Sequence, residues 1–567
     1  MRYENWEING FDRDSAVSFC KRGINPLVSV FLTSRGINDI GEVKAILRDT
    51  PSNIFDPYLM TDMDKAVARI NAAVENHERI AIYGDYDVDG MTSCAILALW
   101  LRSKGADFEI YIPGRFGEGY GLNCSAIDTL KSRDVNLIVT VDCGITAIAV
   151  AEYTRDLGIS LVITDHHECK DTLPVADAVV DPMRPDCAYP HKTLAGAGVA
   201  FKLACALEKD TSVDDMLMQY GDLVALGTVA DVMPVTGENR ELIKRGLRVL
   251  NHNPRPGLSC LLRDTGVEYG KVDTAVIGFM LAPRLNAAGR MGRTEVAVDL
   301  ILAEDKSEAD RLTEELSLLN TERRKIETEI YEEAEAMYYA SQPDGGRLIL
   351  LAKHGWYQGV TGIVAAKMAE RFLTPTIIIS IDDDGIARGS CRSIAKFGMY
   401  SALRTCEDIL IDYGGHEMAA GVTVAQENID QLRKRLDEYY LRKTTDVPSR
   451  NLKLDFEVEK PELLTAPNVE ALEDLEPFGR DNLPPLLYIG NARLTFIQSI
   501  GLGKHSRLRI EKLGKTIDCI FFAAPLETLG VVEGDIVDIA FEPQINEFRG
   551  RSSVQLHIRD IRVAHHG

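Results

Sequence analysis

Short apolar runs that stop abruptly at an acidic or imidazole side chain recur through the first half of this chain. Ala81-Ile82-Tyr83-Gly84 leads into Asp85-Tyr86-Asp87-Val88-Asp89-Gly90, after which Ala95, Ile96, Leu99 and Trp100 recur at helical spacing. That order predicts a strand, a loop and a helix. Leu137-Ile138-Val139-Thr140-Val141 reads as a fully buried strand delivering Asp142, with Cys143-Gly144 and a helix from about Ile145 behind it. Leu161-Val162-Ile163-Thr164 repeats the layout ahead of Asp165-His166-His167, and the nearly uncharged run Leu223–Ala230 ends at Asp231. Asp85, Asp87, Asp89, Asp142, His166, His167 and Asp231 are therefore expected where successive strands of one open sheet end. Ligands bind at that edge of open α/β sheets.

The same patterning divides the chain. Residues 1–75 read as helix and loop, with turns at Pro51, Asp56 and Pro57. Residues 76–304 alternate strands and helices, which predicts a mostly parallel sheet covered on both faces. Within 305–345, Leu312, Leu316, Leu319, Ile326, Ile330 and Met337 fall at helical intervals, predicting one long connecting helix that Gln342-Pro343-Asp344-Gly345-Gly346 ends. A second α/β domain is expected over 346–445. Over 450–567, short alternating strands with Gly and Pro turns, among them Leu452–Val458, Leu486–Ile489, Ala492–Gln498 and Val554–Val563, predict a small barrel.

The acidic cluster changes the picture from fold to chemistry. Five carboxylates cannot stay ionised side by side unless cations neutralise them, and oxygen donors with imidazole imply divalent metal, two ions rather than one. Asp-x-Asp-x-Asp-Gly also opens a calcium loop, but Ile96 stands at the twelfth position and a strand precedes it. Carboxylate and imidazole suit magnesium or manganese, with imidazole favouring manganese. Such a pair could activate water toward a phosphodiester and neutralise the leaving oxygen, which makes a metal-dependent phosphoesterase the first hypothesis.

Asp-Tyr-Asp-Val-Asp-Gly, Val-Asp-Cys-Gly, Asp-His-His and Gly-Thr-Val-Ala-Asp-Val-Met-Pro, in this order, resemble the motifs of the DHH phosphoesterase superfamily. Ala282-Pro283-Arg284-Leu285-Asn286-Ala287-Ala288-Gly289-Arg290 and Gly414-Gly415-His416 narrow the resemblance to its RecJ branch, exonucleases that digest single-stranded DNA from the 5′ end. The resemblance implies an N-terminal DHH domain, a DHH-associated domain and a C-terminal OB-fold. It implies that Asp85 and Asp87 hold one ion, that Asp89, His166 and Asp231 hold the other, and that Asp142 bridges them. His167 would lie against the scissile phosphate as hydrogen-bond donor or as acid for the leaving oxygen, oriented by Asp165. Products would be nucleoside 5′-monophosphates. A single-strand-binding protein and a helicase are partners at family level. The alternative within the superfamily is a phosphodiesterase acting on short oligoribonucleotides or cyclic dinucleotides, which the barrel disfavours.

Other candidates follow. His354-Gly355-Trp356-Tyr357-Gln358-Gly359-Val360-Thr361-Gly362 is a Gly-rich loop entering a helix, where backbone amides can meet a phosphate. Ser390, Arg392 and His416 are expected phosphate contacts on that side, and Arg284, Asn286 and Arg290 nearer the metals. In the barrel, Lys504, Arg507, Arg509, Phe548, Arg549 and Arg551 could form a basic groove with a stacking platform, while Phe521, Phe522 and Phe541 read as core.

Charge argues the other way. The chain carries 63 basic against 86 acidic residues, a net of −23, whereas phosphate backbones seek basic surfaces. From Arg480 onward, however, 11 basic residues face 10 acidic ones. Binding should rest on confined basic strips. Eleven cysteines without a Cys-x-x-Cys pair predict reduced thiols. The absence of an apolar N-terminal segment or membrane-length stretch predicts a cytoplasmic protein without membrane association. A monomer is expected.

Overall fold

The computed structural model describes residues 3–47, 54–114, 121–341, 348–443, 449–548 and 551–564. It resolves into two compact units, one of Met1–Ser52 with Ser449–Gly567 and one of Asn53–Pro448. The chain opens on β1 (Asn5–Ile8), whose partner comes from far along the sequence.

In the larger unit, β2 (Ile80–Gly84), β3 (Phe108–Tyr111), β4 (Leu137–Val141), β5 (Ser160–Thr164) and β6 (Ala178–Val180) form a parallel sheet in the order β3-β2-β4-β5-β6. Both faces are covered, and strand alternation divides the side chains between them. Ile80 and Ile82 join a large core with the helices Val88–Ser103, Gly196–Leu207 and Val213–Ala230. Ala81 and Tyr83 face a second core with the helices Cys124–Ser132 and Ile148–Asp156. All strands run the same way, so their C-terminal ends share one edge.

The connecting helix runs Lys306–Ser341. Leu312 and Leu316 pack into the large core beside the parallel sheet, Ile330 and Ala334 into the next domain, and between them Asn320, Arg323 and Glu327 are buried polar residues, with Arg323 bonded to the other two. The break expected at 342–346 lies outside the described residues. Beyond it, β7 (Ile349–His354), β8 (Thr376–Ile381), β9 (Ile386–Arg392), β10 (Leu410–Gly415) and β11 (Ala419–Ala425) form a sheet in the order β10-β11-β9-β8-β7. Only β7 and β8 pair in parallel. The helix Gln358–Phe372 covers one face and Ile429–Lys443 the other.

In the smaller unit β12 (Asn451–Leu454) is followed by a closed barrel of β13 (Leu487–Ile500), β14 (His505–Lys512), β15 (Lys515–Phe521), β16 (Ile536–Phe548) and β17 (Arg551–Val563), ordered β13-β14-β15-β17-β16. Two expectations are corrected here. Leu486–Ile489 and Ala492–Gln498, read as separate strands, are one strand whose register shifts between Ile489 and Ala492. The stretch from Leu452 contributes no barrel strand, because β12 pairs in parallel with β1 instead.

The N-terminal segment is divided between the units. The helix Pro26–Ser34 sends Leu27, Val28, Phe31 and Leu32 into the barrel core, and Arg35 pairs with Asp455 at 2.8 Å. The helix Met63–Glu75 instead lays Met63, Ala66, Ile70 and Ala73 on the catalytic core. Amphipathic periodicity shows that each helix needs a partner but carries no address for it, so the two looked like one segment. Pro51 lies outside the described residues, whereas Asp56 accepts from Tyr58 N at 2.9 Å and starts a short turn.

Candidate metal centre

Three strand ends bring the acids together. After β2, Asp85 Oδ1 accepts from Tyr86 N at 2.8 Å, and Asp87 caps the helix Val88–Ser103 by accepting from Gly90 N at 3.0 Å. The helix thus starts earlier than the spacing after Gly90 indicates, and Asp89 sits in its first turn. After β4, Asp142 adopts a left-handed backbone (φ 59°), which a short polar side chain tolerates and which turns the chain sharply at the sheet edge. After β5, the buried Asp165 organises its neighbours. Its Oδ2 accepts from Ile145 N at 2.9 Å, and its Oδ1 from His166 N at 2.7 Å and His167 Nδ1 at 2.7 Å.

Asp231 arrives by another route than expected. It is the C-cap of the helix Val213–Ala230 and ends no strand. The run before it is apolar because the helix is buried almost all round by its neighbours, a pattern that short windows cannot tell from a buried strand.

Three groups of ligand atoms result among the described residues, each within 4.8 Å: Asp85 with Asp87 and Asp142, Asp89 with His166 and Asp231, and Asp142 with Asp165, His166 and His167. His166 Nε2 lies 3.0 Å from Asp142 Oδ1 and 3.8 Å from the Oδ2 atoms of Asp89 and Asp231, so the groups are contiguous. Apart from that approach of His166, Asp142 Oδ1 is buried without a hydrogen-bond partner among the described residues. A buried acceptor left so is costly unless a ligand completes it. The oxygen-rich donor set with one imidazole fits two divalent cations.

The electrostatics agree. Burial, then the charges of Asp89 and Asp87, push the Asp142 carboxyl well above the usual carboxylate range. Burial likewise raises Asp89 against the opposing pull of His166, and burial with the Asp89 charge pushes Asp231 up to about 7. Carboxyls raised in this way bind protons in competition with cations. For His167, burial favours the neutral ring, but the bond and charge of Asp165 outweigh it and push the ring up to about 9. Burial would raise Asp165, yet the His167 bond and the imidazole charges hold it below its ordinary value.

Backbone approaches make the cradle tight. Asp89 accepts from Gly196 N at 2.6 Å and Ala197 N at 2.8 Å, at the start of the helix Gly196–Leu207. A Cβ on Gly196 would stand 2.6 Å from Asp142 Cβ, and one on Gly289 would stand 2.2 Å from Tyr86 O. Neither signal was read from the sequence, where both glycines pass as helix residues. Asn286 Oδ1 accepts from Val88 N at 3.2 Å, which supports the Asp87 loop from the side.

The remaining candidates fall into three places. Arg290 Nη1 donates to Gly359 O at 3.2 Å, at the start of the helix Gln358–Phe372. There Thr361 Oγ1 meets Ser390 Oγ at 3.0 Å, and a Cβ on Gly362 would lie 3.3 Å from Arg392 Nη2. Arg290, Ser390 and Arg392 thus share one corner with Thr361. Arg284 turns to Met280 O at 2.8 Å and Asp264 at 3.6 Å, while His416 is exposed at the β10–β11 turn.

In the barrel Lys504 is exposed between β13 and β14, and Arg507 and Arg509 approach Asp518 at 3.8 and 3.0 Å. Arg549 lies outside the described residues, as do the side chains of Phe548 and Arg551. Phe521 and Phe541 are core, but Phe522 corrects its reading as core: it is 48% exposed, with the rings of His505 and His557 at 5.6 and 5.2 Å. It follows the last residue of β15, where alternation no longer assigns it to the interior.

Among the described residues no helix is long and apolar enough to cross a membrane. The chain matches the DHH family N-terminal domain over residues 79–228, the DHHA1 domain over 345–441 and the RecJ OB domain over 454–560. It is 39% identical over 565 residues to the single-stranded-DNA-specific exonuclease RecJ of Bacillus subtilis, covering 99% of this chain and 71% of that protein. The Escherichia coli protein of the same name is 34% identical, with 94% and 96% covered. Among solved structures, RecJ of Thermus thermophilus in complex with Mn2+ superposes with a TM-score of 0.84 at 28% identity, over 99% of this chain and 80% of that one. A manganese-bound exonuclease RecJ gives 0.60 at 34% identity, over 69% and 97%.

Proposed function

This chain belongs to the RecJ family of DHH phosphoesterases, and on that premise we propose that it is an exonuclease that hydrolyses single-stranded DNA with two divalent cations, Mn2+ or Mg2+. The observation that carries this reading is the meeting of two ligand groups at Asp142 within a chain similar to RecJ proteins from end to end. Asp85 and Asp87 would hold one ion, Asp89, His166 and Asp231 the other, and Asp142 both. Two such ions supply Lewis-acid polarisation of the phosphodiester and offset the charge that builds on it.

The chain's own groups position and protonate. Asp165 fixes the His167 ring through Nδ1, which leaves Nε2 as the nitrogen able to serve substrate. The bond and charge of Asp165 raise the His167 ring above its ordinary value, which favours the imidazolium that can donate to the leaving oxygen. In 5′ to 3′ degradation, water adds to phosphorus, the P–O3′ bond breaks, and the departing 3′-oxygen takes a proton. A nucleoside 5′-monophosphate leaves, and the shortened strand keeps a 5′-phosphate. Arg290, Ser390 and Arg392, with Thr361 and the helix beginning at Gln358, form a corner suited to a backbone phosphate. Asn286 supports the Asp87 loop, and Arg284 and His416 complete the candidate substrate side. In the barrel, Lys504, Arg507 and Arg509, with Phe522 as platform and with Phe548, Arg549 and Arg551, would hold the incoming strand. A cytoplasmic role in DNA repair and recombination, beside a single-strand-binding protein and a helicase, accords with such an activity.

A long 5′-labelled single strand, a duplex and a dinucleotide incubated with Mn2+ test the reading. Labelled mononucleotide should appear first and from the single strand alone. Consumption of the dinucleotide with the long strand untouched would instead identify a phosphodiesterase of small substrates.

A further inference from the structure

One buried carboxamide joins two segments that serve the group of Asp89, His166 and Asp231. Asn239 is the third residue of the helix Gly237–His252 and is wholly buried. Its Nδ2 donates to Thr193 O at 2.6 Å and to Pro234 O at 3.1 Å. Thr193 lies three residues before Gly196, whose amide, together with that of Ala197, donates to Asp89. Pro234 lies three residues after Asp231. An amide nitrogen with two N–H donors in one plane can hold both carbonyls at once.

The helix that presents Asn239 is itself anchored. Glu238, the preceding residue, pairs with Lys202 of the helix Gly196–Leu207 and accepts from Tyr189 Oη at 2.7 Å and from Phe55 N at 3.1 Å. The segment after Asp231 needs a hold of this kind. Val232 takes a left-handed backbone (φ 56°), which crowds a β-branched side chain, and that side chain is 60% exposed. Strained backbone persists only where its surroundings over-determine it. Val232 N and Met233 N bond back to Val229 O and Thr228 O at 3.1 and 3.2 Å, and Asn239 grips Pro234 O from the far side of the turn. On the reading that Asp89, His166 and Asp231 bind a cation, we propose that Asn239 is a positioning residue for that ion: by clamping Thr193 O and Pro234 O together, it keeps the amides that orient Asp89 in register with Asp231.

Titration of the full chain with Mn2+ by calorimetry, without substrate, tests this in wild type, Asn239→Leu, His166→Ala and the double variant His166→Ala/Asn239→Leu. Leucine keeps the volume and removes both donors. Asn239→Leu should weaken the ion held by Asp89, His166 and Asp231 about 10- to 100-fold, and leave the ion held by Asp85 and Asp87 within about threefold. In the His166→Ala background, where the second ion alone remains, Asn239→Leu should change affinity by less than about threefold. A merely structural loosening would lower it there as well. Asn239→Asp, which keeps the shape with at most one donor, replaces Asn239→Leu if that variant fails to fold, and should lose about tenfold or more at the same ion. Two ions bound at wild-type affinity in the donor-deficient variant overturn the inference, and so does an equal loss at both ions. A wild-type chain that binds no Mn2+ overturns the metal centre itself and this inference with it.

Discussion

Replacing Gly196 by alanine perturbs the centre without removing a ligand. The new Cβ would stand 2.6 Å from Asp142 Cβ, 2.8 Å from its Oδ1 and 2.9 Å from its Cγ, against 3.4 Å for ordinary contact. Relief requires Asp142 or the start of the helix Gly196–Leu207 to move by about 0.6–0.8 Å, beyond the ~0.5 Å that a working constellation tolerates. The same helix start donates two amides to Asp89, so either movement disturbs a ligand. A misplacement of about 1 Å costs about a hundredfold in rate, so kcat/KM for single-stranded DNA should fall between about 10- and 100-fold. Overpacking should also lower stability by about 1–3 kcal/mol, and a melting curve will show that the chain still folds. Gly198→Ala is the control. It lies in the same helix, its Cβ would meet only the Leu194 side chain at 3.3 Å, and activity should change by less than about twofold. If Gly196→Ala digests DNA and binds Mn2+ like wild type, the cradle is looser than argued.

Asp142→Ala should abolish Mn2+ binding and hydrolysis together, because the carboxylate proposed to bridge belongs to the Asp85–Asp87 group and lies 3.0 Å from His166 of the other; calorimetry showing full affinity at either group would contradict the bridge. Raised carboxyl pKa values mean that protons occupy the cation-free site below them, so Mn2+ affinity should fall as pH drops through about 7, the value for Asp231. The loss should reach about tenfold per pH unit for each proton displaced; flat affinity between pH 8 and 6 would refute this. Glu238→Leu strands the buried Lys202, which pairs with that carboxylate beneath the catalytic core. A loss of about 3–5 kcal/mol should appear as a melting point lower by about 4–6 °C. Phe522→Ala should weaken binding of long single strands by about 1–3 kcal/mol while sparing short-oligonucleotide hydrolysis, as gel-shift and product assays can show.

The sheet edge was legible because each strand-acid junction is local: Asp85, Asp142 and Asp165 follow apolar runs of four or five residues, the length of a strand and too short for a buried helix. Asp231 was legible as a member of the acidic cluster but not as a helix cap, since a helix buried on all sides loses its period. The strand β6 escaped notice although Ala178-Val179-Val180 before Asp181 repeats the strand-acid layout, because three residues are too few to declare a strand. Gly196 and Thr361 were invisible as partners, for what they touch comes from distant segments. The barrel was legible by its turn spacing, while β1 and the helix Pro26–Ser34 belong to it by contacts between residues more than 400 positions apart.

That division has a consequence for biosynthesis. The apolar stripe of Leu27, Val28, Phe31 and Leu32 leaves the ribosome early, whereas Phe456 and the barrel strands that cover it follow some 400 residues later. At about 5–20 residues per second the stripe waits on the order of 20–80 s, uncovered, while the whole nuclease body is translated and folds between the two halves of its shelter. A nascent chain halted before Leu487 should therefore recruit holdase chaperones through its first 50 residues, and release them once β17 emerges.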